Sequence, residues 1–452
     1  MSNSFLMGDF KVKFGTDGIR GTTGQFPVTP EVFSCVGQAC RRWLRQQNLP
    51  LKLAIGWDTR ASGPELAQAF ARGFGQGEIT FLNITPTPAI SFFVAQTNCS
   101  LGVSITASHN PYTDNGLKLF KSNGSKLSVS EEAEIEALCF QETQLEIPDF
   151  LLQSVNGSNY YLEQLKHQLP QNCFSGKKIV LDTANGATTY TTPHLLQYLG
   201  VDIVAFGDCP DGININRNCG SEFADRLQKI VTEEKAWLGF AHDGDGDRLV
   251  VIDEDGCRLD GDEVLGLFAI DMKQHDALPN DTIVVTQQSN SGLQASLKAY
   301  GIKTEVCDIG DRSVFYKMLD CDSWFGGENS GHIILRQESL TGDGLRTLLK
   351  LLALAQEQPL RERKQQIKLL PKLEDSLRVT RRIPLQELSN LDKLYKNLQK
   401  KLGRVYIRYS GTENKLRLLV EAETDALCRE RMDQLKAAAK LDFEKHNHCG
   451  AK

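Results

Sequence analysis

A chain of 452 residues is longer than one hydrophobic core supports, and at roughly 150 residues per domain it predicts three or four domains. Hydrophobic content of 40% and charged content of 24%, without a low-complexity tract, exclude a disordered chain. A formal net charge of −6 excludes a long-range pull on nucleic acid or anionic membrane, so the expected partner is a small molecule; an anionic one needs a local cluster of Arg, Lys and backbone N–H groups.

At the N-terminus, MSNSFLMGDFKVKFG has no continuous apolar core, and no later stretch approaches the ~18 uncharged apolar residues of a membrane span. A cytoplasmic protein is the expectation. The twelve cysteines contain no C-x-x-C pair and read as dispersed free thiols. A unit of apolar run, polar loop, amphipathic helix, Gly stop and second apolar run then recurs. Its first copy is LKLAIGWDTR, a helix around Pro64 to Phe74, and EITFLNI. The second is KKIVLDTANG, a helix ending near Gly200, and VDIVAF; the third is DTIVVTQQSN, a helix from about Gly292 to Tyr300, and IKTEVCDIG. Each reads as βαβ. Parallel strands of this kind place ligand loops beyond their carboxyl ends.

Between the first two copies, LGVSITASHNPYTDNGLKLF sets Ser108 and His109 in a small-residue loop after the apolar run Leu101 to Ile105. Neighbouring side chains on an extended backbone diverge, so direct deprotonation of Ser108 by His109 is not expected, and no Asp-His-Ser constellation supports a hydrolase. A serine carrying a phosphoryl group needs instead a divalent cation and a nearby acid or base, for which His109 and Lys118 are the candidates. Asn110 and Asn115 read as braces of the turn through Pro111 and Gly116.

Further on, AHDGDGDRLVVIDEDG alternates Asp243, Asp245 and Asp247 with glycines between two apolar runs. Alternate residues of an extended segment point the same way, so three carboxylates converge on one hard cation, expected to be Mg²⁺. An EF-hand fits positions 1, 3, 5 and 12 of such a loop but wants Gly where Arg248 stands, and wants helical flanks. After the Gln- and Lys-rich stretch at 357–366, RVYIRYSGTENKLRLLVEA and the charged helix from Asp425 predict a smaller α+β module.

Five separated segments, FGTDGIRG (14–21), TASHNP (106–111), DGDGDR (243–248), GGENSGH (326–332) and RYSGTEN (408–414), together resemble the α-D-phosphohexomutase family. The resemblance spans nearly the whole chain in the family's order. It implies an α/β fold of three βαβ-type mixed-sheet domains plus a smaller C-terminal α+β domain around a central cleft. The expected limits are 1–152 for the phosphoserine domain, 153–258 for the metal domain, 259–368 for the sugar domain and 369–452 for the phosphate domain.

Carried over by motif, Ser108 is the expected phosphoserine, and Ser108, Asp243, Asp245 and Asp247 the expected Mg²⁺ ligands. Arg20 and Arg248 border the transferring phosphoryl group, with His109 and Lys118 as its acid and base. Glu328, Ser330 and His332 serve the sugar, and Arg408, Ser410, Gly411 and Thr412 grip the phosphate that is not transferred. The resemblance further implies a phosphosugar substrate and a hexosamine 1,6-bisphosphate intermediate. Loop details, including Asn329, favour the family's glucosamine phosphate branch over its mannose and glucose branch. Asn414 departs from the proline usual at that place, which loosens the turn without removing a phosphate donor.

Overall fold

The computed structural model describes residues 11–139, 149–399, 403–410 and 414–449. The chain divides into two compact units, one running to Gln288 and joined by Thr304–Gln365, the other formed by Ser289–Lys303 and the chain from Gln366 onward. The first holds three mixed sheets. In the first sheet the strands are β1 (Ile19–Thr22), β2 (Lys52–Trp57), β3 (Gln76–Ile84), β4 (Leu101–Ile105), β5 (Asp114–Lys121) and β6 (Asp149–Ser154), ordered β1-β5-β4-β2-β3-β6. Strands β4, β2, β3 and β6 are parallel, whereas β5 and β1 run antiparallel and set Lys118 opposite Ser104 and Arg20 opposite Gly116.

Both faces of this sheet are covered, and the strand period decides which residue meets which layer. Leu53 and Ile55 of β2 join the core made with Val32, Phe33 and Val36 of α1 (Pro30–Gln46) and Leu66 and Phe70 of α2 (Gly63–Phe74). Ala54, between them, joins Ile90, Phe93 and Val94 of α3 (Thr87–Gln96) on the other face. Helix α1 starts where the sequence signals it: Thr29 accepts a hydrogen bond from the Val32 N–H through its hydroxyl, and Pro30 fills the first turn.

The second sheet is ordered β11-β10-β9-β7-β8, from β7 (Lys178–Asp182), β8 (Asp202–Phe206), β9 (Leu238–His242), β10 (Leu249–Ile252) and β11 (Arg258–Leu259). The third is ordered β13-β12-β14-β15, from β12 (Thr282–Thr286), β13 (Lys303–Cys307), β14 (Phe325–Gly327) and β15 (Ile333–Leu335). The first two βαβ units lie where the pattern places them. The third differs, because its helix, Ser291–Ala299, belongs with the second compact unit rather than with the strands it connects. That unit is a three-stranded antiparallel sheet, β16 (Lys372–Arg378), β17 (Arg404–Tyr409) and β18 (Lys415–Glu421), ordered β16-β18-β17. Helices Ser389–Leu398 and Asp425–Cys449 supply Leu391, Met432 and Leu435 to its core. Among the described residues no helix is long and apolar enough to cross a membrane.

Strands β4, β9 and β14 each run parallel to a neighbour, and each carboxyl end opens into one of the sequence-singled loops. The loop after β9 is braced by the one after β7. The Ala187 N–H donates to the Gly244 carbonyl at 2.9 Å, and a Cβ on Gly186 would stand 2.3 Å from that oxygen. Gly186→Ala therefore has to push backbone against backbone and should lower stability by about 1–3 kcal/mol, read as a lower urea midpoint with an unchanged slope. A wild-type midpoint would mean that the two loops are not locked together.

Candidate active site

Ser108 is buried just beyond β4, with its backbone in the left-handed region at a φ of 51°. Its N–H donates to Thr106 Oγ1 at 2.9 Å, and its hydroxyl donates to Asp243 Oδ2 at 2.6 Å. His109 Nδ1 lies 3.3 Å from the same hydroxyl oxygen. The divergence of adjacent side chains holds only for extended backbone; the left-handed residue turns both side chains to one side, which corrects the sequence expectation. Asn110 and Asn115 brace the turn as expected, Asn110 donating to Asp114 Oδ2 at 2.9 Å and Asn115 Oδ1 accepting from the Gly116 N–H at 2.8 Å.

Asp243, Asp245 and Asp247 are buried between β9 and β10, and each brings a carboxylate oxygen within 4.8 Å of the other two. Strand flanks rule out the EF-hand. Gly246 takes a φ of 76°, and a Cβ on Gly244 would stand 2.6 Å from the Ser108 carbonyl, so the glycines let the two loops meet. Asp243 Oδ1 accepts from the N–H groups of Gly246 and Arg248 at 3.1 and 3.2 Å. Asp245 Oδ2 accepts from Thr87 Oγ1 at 2.7 Å and Lys118 Nζ at 2.8 Å, and Asp247 Oδ2 accepts from Lys118 Nζ at 2.7 Å. The second oxygens of Asp245 and Asp247 are buried without a hydrogen-bond partner. Two orphaned carboxylate oxygens, beside a third that meets the Ser108 hydroxyl, make a hard-oxygen donor set that fits a divalent cation such as Mg²⁺.

Lys118 is almost wholly enclosed and also lies 3.2 Å from Asp17 Oδ2. Burial works against its charge, but Asp17, Asp245 and Asp247 outweigh burial and raise its pKa well above the usual lysine range. Burial likewise opposes ionisation of Asp247, and Lys118 and His332 overcome it, holding that carboxyl below its ordinary value. At Asp243 burial, then Asp247 and Asp245, outweigh Arg248 and push its pKa well above the carboxylate range. His109 is pushed down to about 4 by burial and by Arg248 and Arg20, so at neutral pH its imidazole is uncharged.

Arg20 pairs with Asp17, and Arg248 approaches Glu222 at 4.0 Å; the Nε of each is buried without a hydrogen-bond partner. An antiparallel bridge between Arg248 and His332, with the Leu249 N–H donating to Gly331 at 3.1 Å, draws the loop after β14 to the same place. There Glu328 accepts from the Gly310 N–H at 3.0 Å, and burial raises its pKa. The His332 Nε2 lies 3.4 Å from Asp311 and 3.8 Å from Asp247, and the Ser330 hydroxyl is buried without a partner.

Family comparisons bear on this geometry. The description phosphoglucomutase/phosphomannomutase, alpha/beta/alpha domain I, matches residues 11–146, domain II of the same family 159–256, domain III 260–371, and its C-terminal domain 377–438. The chain belongs to this family, the α-D-phosphohexomutases. It is 36% identical over 433 residues to the phosphoglucosamine mutase of Campylobacter hominis, covering 93% of this chain and 97% of that one. A phosphoglucomutase/phosphomannomutase family protein of Burkholderia thailandensis has the same fold, with a TM-score of 0.79 at 23% identity over 94% of this chain and 97% of that one. So does the N-acetylphosphoglucosamine mutase of Aspergillus fumigatus, solved with GlcNAc-6P and magnesium, at a TM-score of 0.66 and 17% identity over 96% of each chain. The expected phosphohexomutase fold, with its mixed sheets, is thereby borne out.

In this phosphohexomutase the sequence reading missed several groups at the site. Asp17, within the first motif, binds Lys118, Lys126 and Arg20; Lys126 also pairs with Asp311, which in turn faces His332. Thr87 and Arg60 contact the two loops from α3 and from the loop after β2. Asp17 lay in a quoted motif and could have been found there, but Lys126 and Asp311 are separated by 185 positions and share no local signal.

The second compact unit carries the remaining predicted residues. Arg408 on β17 stands directly across from Arg417 on β18; burial and Arg417 together lower its pKa. Ser410 is buried, its N–H donating to Lys415 at 2.9 Å and its carbonyl accepting from Arg382 at 2.7 Å. Gly411 and Thr412 lie outside the described residues. Asn414 accepts from the Val379 N–H at 2.9 Å through its carbonyl, a bond that a proline there could also accept.

Lys118→Met would leave Asp17, Asp245 and Asp247 buried without their shared ammonium, and should cost about 3–5 kcal/mol. A divalent cation at the triad would offset part of that loss. Melting curves with and without Mg²⁺ should show a lower Tm for the variant and a larger Mg²⁺-induced rise than in the parent protein. Equal rises would separate Lys118 from the metal centre.

Proposed function

We propose that the protein is a phosphoglucosamine mutase, interconverting glucosamine 6-phosphate and glucosamine 1-phosphate through a phosphorylated Ser108. The observation that carries this is the 2.6 Å hydrogen bond from the Ser108 hydroxyl to a carboxylate of a buried, partly unsatisfied aspartate triad. A group-carrying oxygen and a cation site thus share one centre, in a chain similar over nearly its full length to phosphoglucosamine mutases. The four loops fall to domains 1–152, 153–258, 259–368 and 369–452. Cytoplasm is the proposed location.

Asp243, Asp245, Asp247 and Ser108 would hold Mg²⁺, which when bound neutralises charge on the phosphoryl oxygens. In the first half-reaction the substrate hydroxyl attacks the phosphorus on Ser108. The Oγ–P bond breaks, a new sugar O–P bond forms, and the hydroxyl proton ends on Ser108 Oγ, giving the 1,6-bisphosphate. The bisphosphate turns end for end, and Ser108 Oγ takes the other phosphoryl group by the reverse steps. His109 Nδ1, at 3.3 Å, is placed to exchange a proton with Ser108 Oγ. Lys118, tied to three carboxylates, contributes fixed charge. Arg20 and Arg248 offer guanidinium groups to the phosphoryl oxygens, and Glu328, Ser330 and His332 offer hydrogen bonds to the sugar. Arg408, with Ser410, Gly411 and Thr412, would bind the phosphate that is not moving; Arg417, facing Arg408, adds a second positive charge.

Assays side by side with glucosamine, glucose and mannose 1-phosphates should give the highest kcat/KM for glucosamine 1-phosphate. A preference for glucose or mannose phosphate would overturn the substrate assignment. Enzyme treated with the bisphosphate should gain one phosphoryl mass on the Ser108 peptide, and Ser108→Ala should lose both that mass and turnover. Full activity in Ser108→Ala would end the phosphoserine reading.

Arg408→Lys keeps a charge and loses the planar fork. It should lower kcat/KM roughly 10- to 100-fold in both directions, the worth of one charge-assisted hydrogen bond, with Ser108 phosphorylation unchanged. Unchanged kcat/KM in both directions would leave Arg408 no part in substrate binding.

A further inference from the structure

Ser108 is held by its backbone as well as by its side chain. Arg60, at the end of the loop after β2, is 1% exposed, and every N–H of its guanidinium has an acceptor. Nε donates to Asp58 Oδ2 at 3.0 Å. One terminal nitrogen donates to the carbonyls of Ser108 and Asn110 at 3.0 and 2.8 Å. The other donates to the carbonyls of Pro111 and of Asp114, the latter at 2.8 Å. Asp58 also accepts from Thr106 Oγ1 at 2.7 Å, and that hydroxyl oxygen receives the Ser108 N–H. From the segment between β8 and the helix Ala224–Glu234, Asn216 Nδ2 donates to the same Ser108 and Asn110 carbonyls at 2.8 and 2.9 Å.

We propose that Arg60 and Asn216 are positioning residues for phosphoryl transfer, a two-sided clamp on the backbone carbonyls of the serine turn that fixes Ser108 Oγ against the aspartate triad. The inference rests on the phosphoserine reading of Ser108. Three features of the clamp argue for a role in chemistry beyond stability. It grips the one residue of the turn with a left-handed backbone, a conformation that costs a non-glycine residue energy and relaxes unless it is held. Asn216, in the segment between β8 and the helix Ala224–Glu234, also lies against the metal loop, since a Cβ on Gly244 would stand 2.9 Å from its Nδ2, so a single side chain meets both the carrier turn and that loop. Finally, the clamp binds neutral carbonyl dipoles. Ser108 would gain and lose a charge of about −1.5 to −2 in each half-reaction. A turn held through carbonyls keeps its anchors through that change.

The test uses two variants and a single-turnover experiment. Arg60→Lys cannot reproduce the five-donor fork, and Asn216→Gly deletes two donors at a position whose φ of 57° glycine tolerates. Phosphorylated enzyme is mixed with glucosamine 1-phosphate, and loss of phosphoryl from Ser108 is followed by rapid quench and mass spectrometry. Both variants should slow transfer, and lower kcat, by about 10- to 100-fold, as expected for a displaced reacting atom. KM for the sugar phosphate should stay within about twofold, because no substrate contact is lost. A role in stability alone would lower the melting temperature and leave the transfer rate of the folded enzyme unchanged. Wild-type transfer rates in folded variants, or a raised KM with unchanged kcat, would overturn the clamp. If Arg60→Lys does not fold, Asn216→Gly decides the matter by the same criteria. Absence of phosphoryl on Ser108 in the parent enzyme would overturn the phosphoserine reading itself, and the inference with it.

Discussion

Burying charge is the constraint around which the first compact unit is arranged. Asp17, Asp243, Asp245, Asp247 and Asp311 are drawn together with Lys118, Lys126, Arg20 and Arg248, most of them out of contact with water. An ionised group in a protein interior is tolerated only with partners that replace its lost hydration. Lys118 does this for Asp17, Asp245 and Asp247, and Lys126 for Asp17 and Asp311. Neither lysine makes an ion pair with Asp243, whose Oδ2 accepts from the neutral Ser108 hydroxyl and whose Oδ1 accepts from the backbone N–H groups of Gly246 and Arg248. Strands from three sheets deliver these residues, so the relative placement of the sheets and the balance of charge depend on one another.

Much of this was legible because it is local. The period of two in Asp243, Asp245 and Asp247 with intervening glycines states a converging loop within a few residues, and the strands on either side are apolar runs. The first two βαβ units are legible for the same reason, their strands and helices being contiguous and periodic. What failed was long-range or conformational. The pairing of Lys126 with Asp311 exists only once the segment after β5 and the helix from Asp311 have been packed together. The side chains of Ser108 and His109 were expected to diverge because an extended backbone was assumed, and a single left-handed residue reverses that geometry. The helix from Ser291 has the expected boundaries but not the expected allegiance, since periodicity reports which face of a helix is apolar and not what covers it.

Arg60 illustrates a further limit. In WDTR it reads as a polar residue closing a strand, and charged side chains are rarely enclosed. Its acceptors are almost all backbone carbonyls, which every residue possesses, so no pattern of side-chain types at the acceptor positions could have announced it. Residues that act on side chains leave paired signals in a sequence; residues that act on the backbone do not. The same holds for Asn216, whose partners are also carbonyls.

The second compact unit has the opposite electrostatic problem. Arg408 and Arg417 are cross-strand neighbours, and like charges directly opposite each other on antiparallel strands destabilise a sheet. Neither is needed to complete the apolar core beneath, which Val405, Ile407, Leu416 and Leu418 supply from the alternate positions of the same strands. The first unit sets unsatisfied negative oxygens beside a hydroxyl, whereas the second sets two arginines opposite each other on paired strands.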